Sequence, residues 1–311
     1  MVQENSVNNK IIIISGPTAV GKSDLGVDCA LKFDGEVVSA DSMQIYERLD
    51  IGTGKITAEE MRGVKHHLLD IVAPDERYSV GQYLKDATTV IDGILAQNKL
   101  PVIVGGTGLY INALINGMNF SDADRSDEVR EKWKAIASEK GNEYVYSKLV
   151  EIDPESAQKI SPNDLKRTIR ALEIYEVTGK PKSLSANTAE CKYDYLFVIL
   201  DEEREVLYQR INKRVDKMFA LGLYDEVISL KDYAEHQSMQ AIGYKQILQF
   251  LDGHFPDLES TKEEIKKLSR NYAKRQMTFL RSIKSDKKVW LKYENRHEIF
   301  DIITKFLKNE D

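Results

Sequence analysis

Gly16-Pro17-Thr18-Ala19-Val20-Gly21-Lys22-Ser23 fits the spacing G-x-x-x-x-G-K-[ST], and its residue types suit the holding of a phosphate chain. Glycines let backbone N–H groups turn inward onto phosphate oxygens, and a helix starting at the loop's end adds the positive end of its dipole. Lys22 neutralises charge, and the Ser23 hydroxyl is a ligand for Mg²⁺. The pattern implies phosphate binding without saying what is done to the phosphate. Asp41-Ser42-Met43-Gln44 adds a carboxylate with two side chains, Ser42 and Gln44, able to hydrogen-bond a base edge. Asp41 is a candidate magnesium ligand or general base; its bland alternative is a structural Asx turn. Gly105-Gly106-Thr107-Gly108 offers a further hydroxyl at Thr107, at a helix start.

These groups meet only if strands deliver them to one edge. Lys10–Ile14 is β-branched and apolar after the lysine, as a strand covered on both faces should be. Glu36–Ala40 and Leu100–Val104 read as further strands, with a helix over Val80–Gln97 between them. Each strand runs straight into one of the three loops, and ligands gather at the carboxyl ends of strands in open α/β sheets. The predicted fold is therefore α/β: a P-loop NTPase-like parallel sheet core flanked by helices, with a mainly helical insertion domain. The core is expected over residues 1–117 and 190–311 and the insertion over 118–189. Breakers at Gly141-Asn142, Asp153-Pro154, Ser161-Pro162-Asn163 and Gly179-Lys180-Pro181 punctuate the insertion's charged helices. Strand character resumes over Tyr195–Leu200, followed by a helix over Glu203–Leu221 stopped by Gly222. Ile265, Leu268, Tyr272, Phe279 and Ile283 predict the apolar stripe of a late helix with a basic opposite face. Lys288–Lys292 and Glu298–Leu307 read as a last strand and helix.

The chain of 311 residues has 44 Lys and Arg against 50 Asp and Glu, a formal net charge of −6. Spread evenly, that would disfavour a nucleic-acid partner. Yet Lys262 to Lys288 carries ten cations and three acids, a footprint for RNA phosphates or a solvated helix face. Cys29 and Cys191 fit neither a disulfide framework nor a zinc site, and His66-His67 lacks partners at ligand spacing, so a structural or RNA-facing role is expected of the histidines. Met1–Lys10 is polar and leads into too short an apolar run for a signal peptide or membrane anchor. The expected setting is the cytoplasm.

Taken together, Gly16–Ser23, Asp41-Ser-Met-Gln-Ile-Tyr46 and Gly105-Gly-Thr-Gly-Leu-Tyr110 resemble the hallmarks of the tRNA dimethylallyltransferase (isopentenyltransferase) family, in the same order. Ile51–Lys55, His66–Leu68, Pro162–Glu173, Ala241–Lys245 and Lys274–Arg281 continue the likeness, from about residue 10 to 285, in the manner of a bacterial member. Lys65 departs from the proline usual there, which implies a slight loop change. The resemblance implies that the loop binds dimethylallyl diphosphate rather than ATP, with Mg²⁺ at Ser23. It implies as acceptor N6 of the adenosine just 3′ of the anticodon, in tRNAs reading codons that begin with U. It casts Asp41 as the base, with Lys22, Thr107 and Arg214 serving the diphosphate; Arg210 is the alternative to Arg214. For tRNA it implies Asp41, Ser42, Met43, Gln44 and Thr107, and beyond them Arg130, Lys166, Arg167, Arg170, Gly243, Tyr244, Lys245, Lys274, Arg275, Gln276 and Arg281. Gly243 and Tyr244 are expected to touch bases, in an enzyme working as a monomer. Two rivals stand beside this reading: a P-loop kinase and a non-catalytic RNA-binding protein.

Overall fold

The computed structural model describes residues 9–118, 125–185 and 191–310. They form two compact units, Met1–Asn112 with Lys192–Asp311, and Ala113–Cys191. In the first, six parallel strands build one sheet: β1 (Lys10–Ser15), β2 (Gly35–Ser39), β3 (His66–His67), β4 (Leu100–Val104), β5 (Asp194–Asp201) and β6 (Lys288–Lys292). Their order is β3-β2-β4-β1-β5-β6. β1 is central, its Ile12 paired with Val102 on one side and Leu196 on the other, and Ile11 to Ile14 are wholly buried. Chain and space part company here. β2 follows β1 in sequence, but β4 lies between them, so the loops after all three strands open onto the same carboxyl edge.

Helices cover the faces. Leu25, Val27, Cys29 and Ala30 of Lys22–Lys32 share a core with Ile299 and Ile303 of the final helix, Arg296–Lys308. The two-residue strand β3, too short to show a period, is secured by side chains. His67 Nε2 lies 2.7 Å from Glu36 Oε2, and Lys99 Nζ donates to Glu36 Oε1 at 2.8 Å. Burial pushes the Glu36 carboxyl up, but these hydrogen bonds and the Lys65 charge hold it down at about 2. His67 is thus tied into the sheet edge. Lys65 fits the same edge, its carbonyl accepting from Val37 N–H at 2.9 Å.

The late helix runs Leu258–Ser282, and its buried stripe differs from the expected one. Thr261, Ile265, Ala273, Gln276, Met277 and Leu280 are buried, while Leu268, Tyr272 and Phe279 sit half-buried at its margin. An apolar-only reading passed over Gln276, whose polar ends are both hydrogen-bonded inside the unit. The basic face is also smaller than its composition. Lys262 and Lys266 pair with Asp216 at 3.2 and 2.8 Å, and Lys288 donates to the Leu280 and Ile283 carbonyls, closing the helix end.

In the second unit, Asp127–Lys140, Asn142–Ile152 and Leu165–Thr178 bury Trp133, Val145, Leu149, Ile169 and Leu172 against one another. The sequence breakers work as read. Gly141 and Gly179 end helices at positive φ, and Asp153 caps the helix Pro154–Lys159, with proline at its start. The upper boundary expected near residue 190 lies outside the described residues. Glu173, fully buried, accepts from Arg130 Nε (2.8 Å), Arg170 Nη1 (2.7 Å) and Ser126 N–H (2.9 Å). Burial raises its pKa, but the two arginines outweigh that and leave it lowered. A lowered carboxylate adds stability above its unfolded pKa of about 4.3 and loses it as pH falls through the folded value. Glu173→Ala should cost this unit about 3 kcal/mol. Urea unfolding followed by Trp133 fluorescence in a Trp290→Phe background measures it; an unmoved midpoint would contradict the assignment.

Candidate active site

Between Ser15 and Lys22 the backbone makes a turn that side chains would obstruct. A Cβ on Gly16, at φ 151°, would stand 2.6 Å from the Leu200 carbonyl, and one on Gly21, at φ 99°, would stand 2.7 Å from the Tyr293 ring. Ala19 also takes a positive φ of 65°. Side chains from distant elements hold the loop in place. Gln276 Oε1 accepts from Thr18 N–H at 2.9 Å while its Nε2 donates to the Gly106 carbonyl at 2.9 Å, bracing the loop against the end of β4. Gln276 is thus a brace for the loop, and it also lines the cavity onto which Asp41 opens.

The other two loops are locked by backbone. Ala40 N–H donates to the Val104 carbonyl (2.8 Å) and Thr107 N–H to the Ala40 carbonyl (3.1 Å). A Cβ on Gly105 would lie 2.1 Å from that Ala40 oxygen, so the close crossing needs glycine. Thr107 Oγ1 accepts from Ser42 N–H at 2.9 Å. Asp41 Oδ1 accepts from Met43 N–H (2.9 Å) and Gln44 N–H (3.4 Å), an Asx turn that fixes the carboxylate's direction. Its second oxygen has no hydrogen-bond partner among the described residues, and Asp41 lines a cavity of about 400 Å³. The structural role of Asp41 thus aims the group that is free to do chemistry.

Lys22, Ser23, Asp41 and Arg214 line that cavity together, and Val104, Ile211, Val215, Met218 and Ile265 supply its apolar wall. A second cavity, about 750 Å³, shares Lys22, Ser23, Gly54, Arg214 and Met218, so the phosphate loop stands at the junction of two spaces. Arg214 Nη2 donates to the Thr53 carbonyl at 3.1 Å, and Gly54 leaves it room, since a Cβ there would lie 1.9 Å from Nη2. Arg210 pairs with Glu202 at 3.1 Å and lines neither cavity. Lys22 donates to the Pro17 carbonyl at 2.7 Å. Burial, then the Arg214 charge, depress its ammonium to about 7, against the opposing pull of Asp41. Two half-buried cations face one carboxylate, and an anion would complete the balance.

Not every expected contact is here. Within the loop, Pro17 and Val20 point into the protein and offer backbone only. Thr107 stands behind Ser42 and lines neither cavity. Ser42, Met43, Gln44, Gly243 and Arg275 do line the first. Tyr244 does not: its ring is wholly buried against Gly52 and its hydroxyl donates to Glu226 Oε1 at 2.6 Å, so it has no face for a base. Lys245, Lys274 and Arg281 are exposed beyond the cavity. Arg130, Lys166, Arg167 and Arg170 belong to the other unit, where Arg130 and Arg170 grip Glu173 and Lys166 and Arg167 are exposed. Glu226 and the Gly52–Gly54 walls had no assigned role in the sequence reading; the glycines of Gly52-Thr53-Gly54 were the only signal.

A family model for IPP transferase matches residues 44–283, and one for isopentenyl transferase matches residues 9–74. The chain belongs to the IPP transferase family. It is 51% identical over 281 residues to the tRNA dimethylallyltransferase of Caldanaerobacter subterraneus subsp. tengcongensis, covering 88% of this chain and 89% of that one. With that of Thermoanaerobacter sp. (strain X514) it shares 47% over 307 residues, or 96% and 97% of the two chains. Among solved structures it is similar to the tRNA isopentenylpyrophosphate transferase of Bacillus halodurans (TM-score 0.72, 42% identity, 97% and 98% covered). It is also similar to a eukaryotic dimethylallyltransferase acting on tRNA (TM-score 0.82, 31% identity, 98% and 81% covered).

For this IPP transferase the depressed Lys22 has a measurable consequence. Beside a bound anion the ammonium is favoured, so above about 7 binding takes up a proton and weakens as pH rises. Calorimetric titration with pyrophosphate in buffers of different ionisation enthalpy should show proton uptake at pH 8, absent in Lys22→Arg, whose guanidinium stays charged. Equal proton counts in the two proteins would contradict it.

Proposed function

We propose that the chain transfers the dimethylallyl group of dimethylallyl diphosphate to N6 of the adenosine 3′ of the anticodon in tRNA. The observation that carries this reading is the meeting of Lys22, Ser23, Arg214 and the open oxygen of Asp41 on one cavity with an apolar wall. The cations and loop amides receive the diphosphate; the apolar wall suits a small branched allylic group. During transfer the allylic carbon–oxygen bond breaks, the carbon–nitrogen bond forms, and the diphosphate leaves with the bonding electron pair. Lys22 and Arg214 face the negative charge that develops there. An exocyclic adenine amine is a weak nucleophile, and Asp41 accepts the proton it must lose.

Mg²⁺ fits this arrangement. It binds through one or two protein oxygens plus phosphate oxygens, and Ser23 Oγ at the helix start is such an oxygen. When bound, the ion adds charge neutralisation to the leaving diphosphate. The base must leave its stack to reach the cavity, at a cost of a few kcal/mol that is least in a single-stranded loop. Exposed Lys274 and Arg275 offer phosphate contacts. Every group invoked at the cavity comes from one chain, so a monomer suffices.

Incubation with tRNA and either labelled dimethylallyl diphosphate or γ-labelled ATP separates this reading from a kinase: the prenyl label should move to RNA, and transfer of the phosphate label alone would overturn it. Asp41→Ala should cut turnover about 10²–10⁴-fold and leave tRNA affinity near wild type. Equal losses in both would make Asp41 a binding residue. Lys274→Ala and Arg275→Ala should each weaken tRNA binding and lower its salt slope by about 0.7–0.9. An unchanged slope would move the RNA surface elsewhere.

A further inference from the structure

The carboxylate of Glu226, on the helix Leu223–Ser229, is saturated by four donors, three of them backbone amides of residues that line one cavity or the other. Its Oε2 accepts from the N–H groups of Asp50 (3.1 Å) and Ile51 (2.8 Å); its Oε1 accepts from Gly52 N–H (3.0 Å) and the Tyr244 hydroxyl (2.6 Å). Three successive backbone amides converging on one carboxylate form an anion-binding nest, here filled by the protein's own side chain. The same loop continues into the groups that face the ligand space. The Thr53 carbonyl accepts from Arg214 Nη2 (3.1 Å) and Gln44 Nε2 (3.4 Å), and the Gly54 carbonyl accepts from Gln44 Nε2 (3.3 Å). On the other side Tyr244 follows Gly243, which lines the cavity, and its ring seals the fit: a Cβ on Gly52 would be 2.3 Å from it.

We propose that Glu226 is a positioning residue for the transfer reaction, setting Arg214 and Gln44 at the cavity through the loop Asp50–Gly54 and tying that loop to the Gly243-Tyr244 wall. The inference rests on the reading of Arg214 as a diphosphate contact. Glu226 touches no ligand space itself; it lines neither cavity. Its effect must therefore pass through the two carbonyls, and a neutral amide cannot replace it. Glutamine keeps one acceptor oxygen and turns an N–H₂ group toward either amide hydrogens or the tyrosine hydroxyl.

The test is a double-mutant cycle on Glu226→Gln and Arg214→Ala, with donor and tRNA kinetics measured separately and thermal unfolding recorded for each protein. Glu226→Gln should reduce kcat/KM for the diphosphate donor about tenfold, change the tRNA KM by less than that, and cost little more once Arg214 is already alanine. Multiplying losses would overturn the proposal, since a residue that only stabilises the fold acts independently of Arg214. So would a fall in Tm with donor and tRNA parameters reduced alike. Should Glu226→Gln fail to fold, Tyr244→Phe removes one donor, keeps the three amides, and should give a smaller loss with the same dependence on Arg214. An unaltered donor kcat/KM in Arg214→Ala alone would fell the diphosphate reading itself, a result distinct from multiplying losses.

Discussion

Two half-buried cations beside one carboxylate shape the active site more than any other contact. Lys22 and Arg214 stand at the junction of two cavities; Asp41 opposes both, and Glu60 adds a pull on Arg214. Such a charge excess is tolerable only in a rigid frame, since a loop free to move would carry the charges to solvent. The frame is backbone. Strand ends at Ala40, Val104 and Ser15 are hydrogen-bonded across the sheet edge, and Ser15 Oγ donates to the Gly105 carbonyl at 2.8 Å. An anionic ligand is the natural complement to that excess.

The remaining parts hold this edge from outside. Gln276 reaches from the late helix to two loops at once, and Tyr293, after β6, lies over Gly21 and donates to Asp24. Arg296 stacks on the Tyr293 ring at 4.1 Å and bonds Asp24 and Asp28 at 2.7 Å, fixing the first turn of the helix that follows the phosphate loop. Residues about 270 positions apart thus set the direction of a few amide groups. Geometry that precise suits a reaction whose barrier falls by positioning and charge stabilisation.

Much of this was legible in the sequence because the signals are local. A buried isoleucine run, a glycine-rich turn and a Lys-Ser helix start occupy fourteen consecutive positions, Lys10–Ser23, and each follows from backbone sterics or apolar patterning. Asp41 stands out because it follows a strand end, whereas Thr107, three residues past β4, lines neither cavity. The illegible parts depend on tertiary partners. Nothing local distinguishes Arg214 from Arg210, one turn apart; only Gly54 beneath one and Glu202 beside the other does. Tyr244 is a base contact by resemblance alone, and no local signal shows that its hydroxyl has a private partner in Glu226. The resemblance implies Gln276 as a tRNA contact but does not show it as a brace, because its two loop contacts lie far away in sequence.

The central claim is spatial: a diphosphate on Lys22 and Arg214 directs its allylic carbon toward Asp41. A structure determined with a non-reactive sulfur analogue of dimethylallyl diphosphate tests it without any turnover. The account requires the analogue's phosphates within hydrogen-bond distance of the loop amides, Lys22 and Arg214, and its branched tail in the first cavity on the side of Asp41. An analogue bound away from the loop, or lying with its tail turned from that carboxylate, would contradict it.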